Sequence, residues 1–163
     1  MAYSRHNKST STTIRDTRFP FARGSFKNVW RGHYTNGPRQ GEECVTKTFK
    51  TGSVFEAHFF ELEMTVIEET QEIINAWNNA RLFHTPVMLS HPEIFAFVDN
   101  GEKALTEPFI HNFQKFNSNS GWAAQSGDEW SDALQALSHF SYHHSGGEMV
   151  LCDIQGGIYS DGL

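Results

Sequence analysis

The sequence predicts an α+β protein with a sheet-rich N-terminal lobe, and three observations predict it. Between Phe19 and Lys50, aromatic and β-branched residues are grouped between Gly-containing bends. From about residue 54 to 80 there is no Gly or Pro, and apolar residues return every three or four positions. Two short apolar runs, a second helical pattern and a last apolar run follow. The order is therefore strands, long helix, strands, helix, strand. A chain of 163 residues holds one domain with a real core, or two small lobes, and not two independent domains. With 38% hydrophobic residues and 14 Phe it carries enough apolar surface to offset chain entropy, despite a negative mean hydropathy.

Taken in order, residues 1 to 17 are polar, Ser/Thr-rich and aperiodic, and are expected to form a disordered arm. The core begins at Phe19. F-P-F-A-R-G-S-F-K-N-V-W-R-G-H-Y reads as a β-hairpin with Gly24 near its first bend, and G-E-E-C-V-T-K-T-F-K follows the turn-like T-N-G-P-R-Q-G. The long helix carries Phe55, Phe59, Leu62, Val66, Ile67, Ile73, Ile74 and Trp77 on its apolar stripe, with Gly52-Ser53 as the expected cap. P-E-I-F-A-F-V-D and K-A-L-T-E-P-F-I pair as a hairpin around D-N-G-E. After a polar loop, S-D-A-L-Q-A-L-S-H-F-S-Y-H-H reads as a helix ended by Gly146-Gly147, and E-M-V-L-C-D-I as a strand.

The formal charge of -6, with Lys and Arg scattered singly, argues against nucleic acid or an anionic membrane as partner. No apolar stretch approaches bilayer-spanning length and the first residues lack a signal-peptide core, so the expected location is intracellular and cytoplasmic. Cys44 and Cys152 lie in apolar stretches and read as buried free thiols. Among the nine histidines no H-E-x-x-H occurs, and His139 on A-L-x-x-H-F reads as a core or supporting histidine.

Three short groups could carry chemistry. In F-A-R-G-S-F-K with the lysine of C-V-T-K, a Gly bend and a neighbouring strand lysine suit nucleotide phosphates, although many plain hairpins share the pattern. A-L-T-E-P-F-I-H-N-F joins an apolar strand to a polar segment, as a linker between lobes would, or as a strand that Pro108 ends. In D-I-Q-G-G, Asp153 and Gln155 share one face if the segment is a strand, and such oxygen donors suit Mg2+. A surface turn accounts for the four residues of D-x-Q-G about as well.

The order and content of these groups say more than each alone. F-A-R-G-S-F-K, E-C-V-T-K-T-F, T-E-P-F-I-H-N-F-Q-K-F-N-S-N-S-G and A-L-S-H-F-S-Y-H-x-S-G-G-E-M-V-L-C-D-I-Q-G-G together resemble the alpha-kinases, atypical protein kinases of the myosin heavy chain kinase and elongation-factor-2 kinase type. The match runs from about Phe19 to Ile158, and its phrasing looks most like fungal members. No G-x-G-x-x-G-x-V, H-R-D or D-F-G of conventional kinases is present.

The resemblance implies a two-lobed protein-kinase-like fold over residues 18–163, with the N-lobe at about 18–106, a hinge at about 107–111 and a partial C-lobe at 112–163. It implies Lys47 as the lysine on the α- and β-phosphates of ATP, Gly24 and Lys27 as the phosphate loop and its basic residue, and Glu107 at the adenine hinge. Lys115 and Asn117 would lie in a nucleotide-facing loop, Asp153 would be the carboxylate beside the transferred phosphoryl group, and Gln155 a Mg2+ ligand. The family's T-D-P block, whose Asp is a second metal ligand, does not follow D-I-Q-G-G; Asp161 of Y-S-D-G comes too early and lacks the proline. The family's His/Cys zinc module is also absent from the sequence. The resemblance therefore implies a truncated domain that binds ATP and Mg2+ and transfers the γ-phosphate to Ser or Thr of a protein substrate, weakly or not at all as this chain. The competing reading is a pseudokinase or nucleotide-binding interaction module; a third, metal-dependent hydrolysis by Asp153 and histidines, would not depend on Lys47.

Overall fold

The computed structural model describes residues 2–4, 12–16, 18–50, 56–97, 102–125 and 127–159. The chain divides into two compact units, Met1–Thr65 with Ser90–Phe109, and Val66–Leu89 with Ile110–Leu163.

The first unit is built on an antiparallel sheet of β1 (Ala2–Ser4), β2 (Thr12–Arg15), β3 (Ala22–Arg23), β4 (Lys27–Tyr34), β5 (Glu43–Phe49), β6 (Glu93–Phe97) and β7 (Lys103–Pro108). Its order is β2-β1-β6-β7-β5-β4-β3, and β2 also pairs with β4, so the sheet closes on itself. Along one edge of β4, β3 takes Asn28 and Val29 while β2 takes Gly32 to Tyr34. The disordered arm expected over residues 1–17 is corrected at Ala2–Ser4 and Thr12–Arg15. T-T-I-R has the β-branched content of a strand, and both segments satisfy backbone groups that β4 and β6 would otherwise leave open.

Strand alternation then sorts the side chains. Tyr34, Cys44, Phe95, Phe97 and Ala104 make one buried cluster. Thr13, Thr46 and Thr106 are fully buried on that same side, with the Thr46 and Thr106 hydroxyls 3.3 Å apart across the β5–β7 pair. The opposite side carries Ile94 and Leu105, which pack with Phe60 and the partly buried Phe49 and Met64.

Phe60 and Met64 come from α1 (Glu56–Ala80). Further along, Ile73 and Trp77 of the same helix pack in the second unit against Phe116, Leu134 and Leu137. At about 100° per residue, Phe60 and Ile73 point in different directions. The helix thus has two short apolar faces in place of the single stripe expected, and Leu62 and Val66 are exposed. The Gly52-Ser53 cap lies outside the described residues, as does the tip of the β6–β7 hairpin.

In the second unit α2 (Glu129–His144) starts at Asp128, whose carboxylate accepts from the Ser131 N–H at 3.1 Å. It ends before Gly146 and Gly147, both with positive φ (69° and 90°), as the sequence indicates. A two-stranded sheet joins β8 (Gln114–Lys115) to β9 (Gln155–Gly156). The strand expected over E-M-V-L-C-D-I is corrected: only Gln155–Gly156 pairs. Asp153 has φ 56°, which breaks extended backbone, and side chains rather than a neighbouring strand receive the Leu151 and Ile154 N–H groups. Cys152 is exposed, not buried as expected, whereas Cys44 is buried and its thiol is pushed up to about 12 by that burial. Among the described residues no helix is long and apolar enough to cross a membrane.

The glycine after β9 meets a close neighbour. A Cβ on Gly157 would sit 2.6 Å from the His111 carbonyl oxygen and 2.9 Å from Ile110 Cγ2, while one on Gly156 would meet nothing within 4 Å. Gly157→Ala is therefore expected to cost about 1–3 kcal/mol of stability in urea unfolding, and Gly156→Ala well under 1 kcal/mol by the same measurement.

Candidate functional site

The first unit brings two lysines and two carboxylates to one sheet face. In β5, Lys47 lies opposite Val29 and Leu105, and Glu107 lies opposite Val45 on β7. Lys47 and Glu107 are thus diagonal neighbours, and they form an ion pair. One strand over, Lys27 opens β4 opposite Phe49, with its ammonium 5.1 Å from that ring centre, and pairs with Glu63 of α1. Burial pushes Lys27 down to about 8 and the charge of Lys47 adds to the shift, with Glu107 opposing.

Gly24 holds the β3–β4 turn. Its N–H donates to the Lys27 carbonyl at 2.9 Å, and a Cβ there would make only ordinary contact at 3.6 Å. The N–H expected to face phosphate is engaged within the turn, and no steric demand requires glycine. Glu107, expected in a hinge over 107–111, lies inside β7. The ladder continues through the Phe109 N–H to the Glu43 carbonyl, and the division between units falls after Phe109.

In the second unit β8 and β9 set Lys115 opposite Gln155, both exposed. The Lys115 ammonium lies 2.9 Å from the Asp153 carboxylate. This contact holds the Asp153 carboxyl below the usual carboxylate range, and the Asn119 backbone N–H lowers it further against a small burial effect. Asn117, expected to face nucleotide, is turned inward and only 5% exposed. Its amide donates to Ser138 Oγ at 2.9 Å and Gln135 Oε1 at 3.3 Å, and its Oδ1 accepts the Ile154 N–H at 2.9 Å. Asp161 lies outside the described residues. His139 is exposed and stacks on His143 with centroids 4.6 Å apart; two positions beyond buried Leu137, it falls on the far side of α2. Among the described residues no group of three or more His, Cys, Asp or Glu is placed to hold a metal ion.

Several participants have no motif. Glu63 sits three residues after buried Phe60, and that helical spacing is the signal that could have placed it toward the sheet. Gln135, Ser138 and Ser141 recur every third residue beside the buried Leu134 and Leu137, a polar row flanking the apolar one. Asn119 acts through its backbone, which no side-chain pattern reports.

Comparison with known proteins settles the family. The sequence model of the Alpha-kinase family matches residues 22–162. The chain belongs to the alpha-kinase family. This alpha-kinase chain is 27% identical over 153 residues to myosin heavy chain kinase B of Dictyostelium discoideum, covering 90% of the chain and 20% of that protein. It is 28% identical over 160 residues to alpha-protein kinase 1 of the same organism, covering 93% of the chain and 11% of that protein. The chain thus spans a fifth or less of the curated relatives named here. Its fold is similar to that of an alpha kinase from Entamoeba histolytica, with a TM-score of 0.71 at 19% identity over 93% of the chain and 61% of that structure. It is also similar to the alpha-kinase domain of myosin heavy chain kinase A in complex with ADP, with a TM-score of 0.67 at 19% identity over 90% of the chain and 70% of that structure.

The Lys115 contact in this alpha-kinase chain has a measurable consequence. Lys115→Met is expected to raise the Asp153 pKa toward the ordinary carboxylate value, read by carboxyl 13C NMR titration. The folded-state value lies below the unfolded one, so the contact contributes stability above the unfolded pKa and loses it as pH falls; the variant should flatten that acid limb.

Proposed function

We propose that this chain binds ATP with Mg2+ and transfers the γ-phosphoryl group to a Ser or Thr hydroxyl of a protein substrate. The observation that carries the reading is the placement of Lys27 and Lys47 together on one sheet face of an alpha-kinase chain. Two ammonium groups there offer point charges to phosphate oxygens: Lys47 to the α- and β-phosphates, Lys27 beside it. Glu107 supplies a carboxylate that can accept from the adenine amine. The ADP complex of the related myosin heavy chain kinase A domain supports a nucleotide ligand.

In the second unit Asp153 offers a carboxylate, which Lys115 holds below the usual carboxylate range. In the transfer the substrate oxygen bonds to the γ-phosphorus, the bond from that phosphorus to the ADP oxygen breaks, and the hydroxyl proton passes to Asp153. The lysines stabilise the charge on the phosphate oxygens throughout. Gln155, exposed on β9, offers an amide oxygen of the hard kind that Mg2+ takes, and few such ligands need come from protein. Once bound, Mg2+ would neutralise phosphate charge.

A second reading is favoured by one observation: Lys27, Lys47 and Asp153 each already have a protein partner of opposite charge. A chain so paired could bind nucleotide without turnover. The two readings separate in one experiment. Mg-ATP should raise the melting temperature of the wild type and not of Lys47→Ala, and protein phosphorylation should fall at least about a hundredfold in the variant. Lys47-dependent stabilisation with no phosphorylation would leave a binding module; no stabilisation at all would overturn the nucleotide site.

Lys27 adds a pH dependence. Its charge is lost as pH rises through about 8, so the dissociation constant for ATP should increase several-fold between pH 7 and 9. Lys27→Arg, which stays charged, should remove that rise in isothermal titration.

A further inference from the structure

We propose that Asn117 and Ser141 are positioning residues that clamp the backbone on both sides of Asp153 and so aim its carboxylate, and that Asn117 is not a ligand of the nucleotide. The proposal rests on the reading of Asp153 as the active-site carboxylate.

Asp153 has φ 56°, in the left-handed region that an L-residue other than Gly occupies only when its surroundings impose it, Asn and Asp more readily than most. Those surroundings are visible on either side. Two residues before it, the Leu151 N–H donates to Ser141 Oγ at 2.8 Å, and that hydroxyl donates onward to the Ser138 carbonyl at 2.7 Å. Immediately after it, the Ile154 N–H donates to Asn117 Oδ1 at 2.9 Å, while the Ile154 carbonyl accepts from the Phe116 N–H at 2.9 Å. Asn117 is fixed in turn by Ser138 and Gln135, and Gln135 Nε2 donates to the Phe116 carbonyl at 3.1 Å.

Both anchors therefore lead back to one row on α2, Gln135, Ser138 and Ser141, spaced by three along a regular helix. Ser141 is fully buried and Asn117 nearly so, whereas the Asp153 side chain is 44% exposed. The arrangement holds the backbone from inside and leaves the carboxylate outside. Asn117 uses both amide hydrogens within the protein and its Oδ1 already accepts from Ile154, so no donor of its side chain is left for a nucleotide.

The test uses the full chain with Ser141→Ala, Ser141→Thr, Asn117→Leu and Asn117→Asp. Amide exchange is read by NMR, affinity for metal-free ADP by calorimetry, and phosphoryl transfer by kcat and KM. In Ser141→Ala the Leu151 amide should exchange at least about tenfold faster. ADP affinity should stay within about twofold, and kcat should fall about tenfold or more with KM for ATP unchanged. Ser141→Thr, which keeps the hydroxyl, should restore all of these. Asn117→Leu should do the same at Ile154, and Asn117→Asp, which keeps the acceptor, should recover protection there. Unchanged exchange in Ser141→Ala would overturn the clamp. So would an Asn117→Leu protein that loses ADP affinity as Lys47→Ala does while Ile154 stays protected. If Asn117→Leu does not fold, Ser141→Ala decides alone. If the wild type transfers no phosphoryl group, the kinase reading falls, and exchange at Leu151 and Ile154 still decides the clamp.

Discussion

The register between β4, β5 and β7 is the constraint on which the first unit depends. Side chains alternate with period two, so a slip of one residue would send Lys47 in among Tyr34, Phe95 and Phe97 and turn Thr46 outward. Burying an ammonium in that cluster would be far more costly than burying a threonine whose hydroxyl has a partner across the pair. The apolar side thus fixes the phase of the strands, and the positions of Lys27, Lys47 and Glu107 follow from it.

Charge in both units is arranged in pairs. Lys27 with Glu63, Lys47 with Glu107 and Lys115 with Asp153 each join groups from different elements. Lys27 illustrates the balance: partly buried and near another cation, it would be poorly held as a cation without a carboxylate beside it. A phosphate oxygen that enters takes one of the ammonium's three donor hydrogens, beside the carboxylate or in its place. Affinity for an anion is then a difference between two pairings, and the carboxylates set its reference level.

Much of this was legible in the sequence where one local rule dominated. The glycine pair after α2, the β-hairpins and the lysine on β5 were each marked by a pattern with a single mechanism behind it. What misled were places where two demands met. α1 was read as one stripe because a periodicity scan assumes one partner surface, but its two ends pack in different cores. M-V-L-C-D-I has strand composition, yet Asp153 takes a left-handed conformation that only its surroundings, distant in sequence, can hold. The polar opening residues lacked the apolar content of a core strand. They form strands because β4 and β6 offer unpaired backbone, which composition does not record. Lys47 and Asp153 stand in motifs that a sequence can display, whereas Asn119, acting through backbone, and the α2 row of Gln135, Ser138 and Ser141 have none.

The pairing of β1 with β6 sets Ala2 against Phe97 and Ser4 against Phe95. Such a contact closes a loop of nearly the whole first unit, and its entropic cost can be met only after β6 and β7 have formed the sheet that receives it. Until the residues of β6 are in place, β1 can pair only with β2. β1 is thus expected to join the sheet after strands that follow it in the chain.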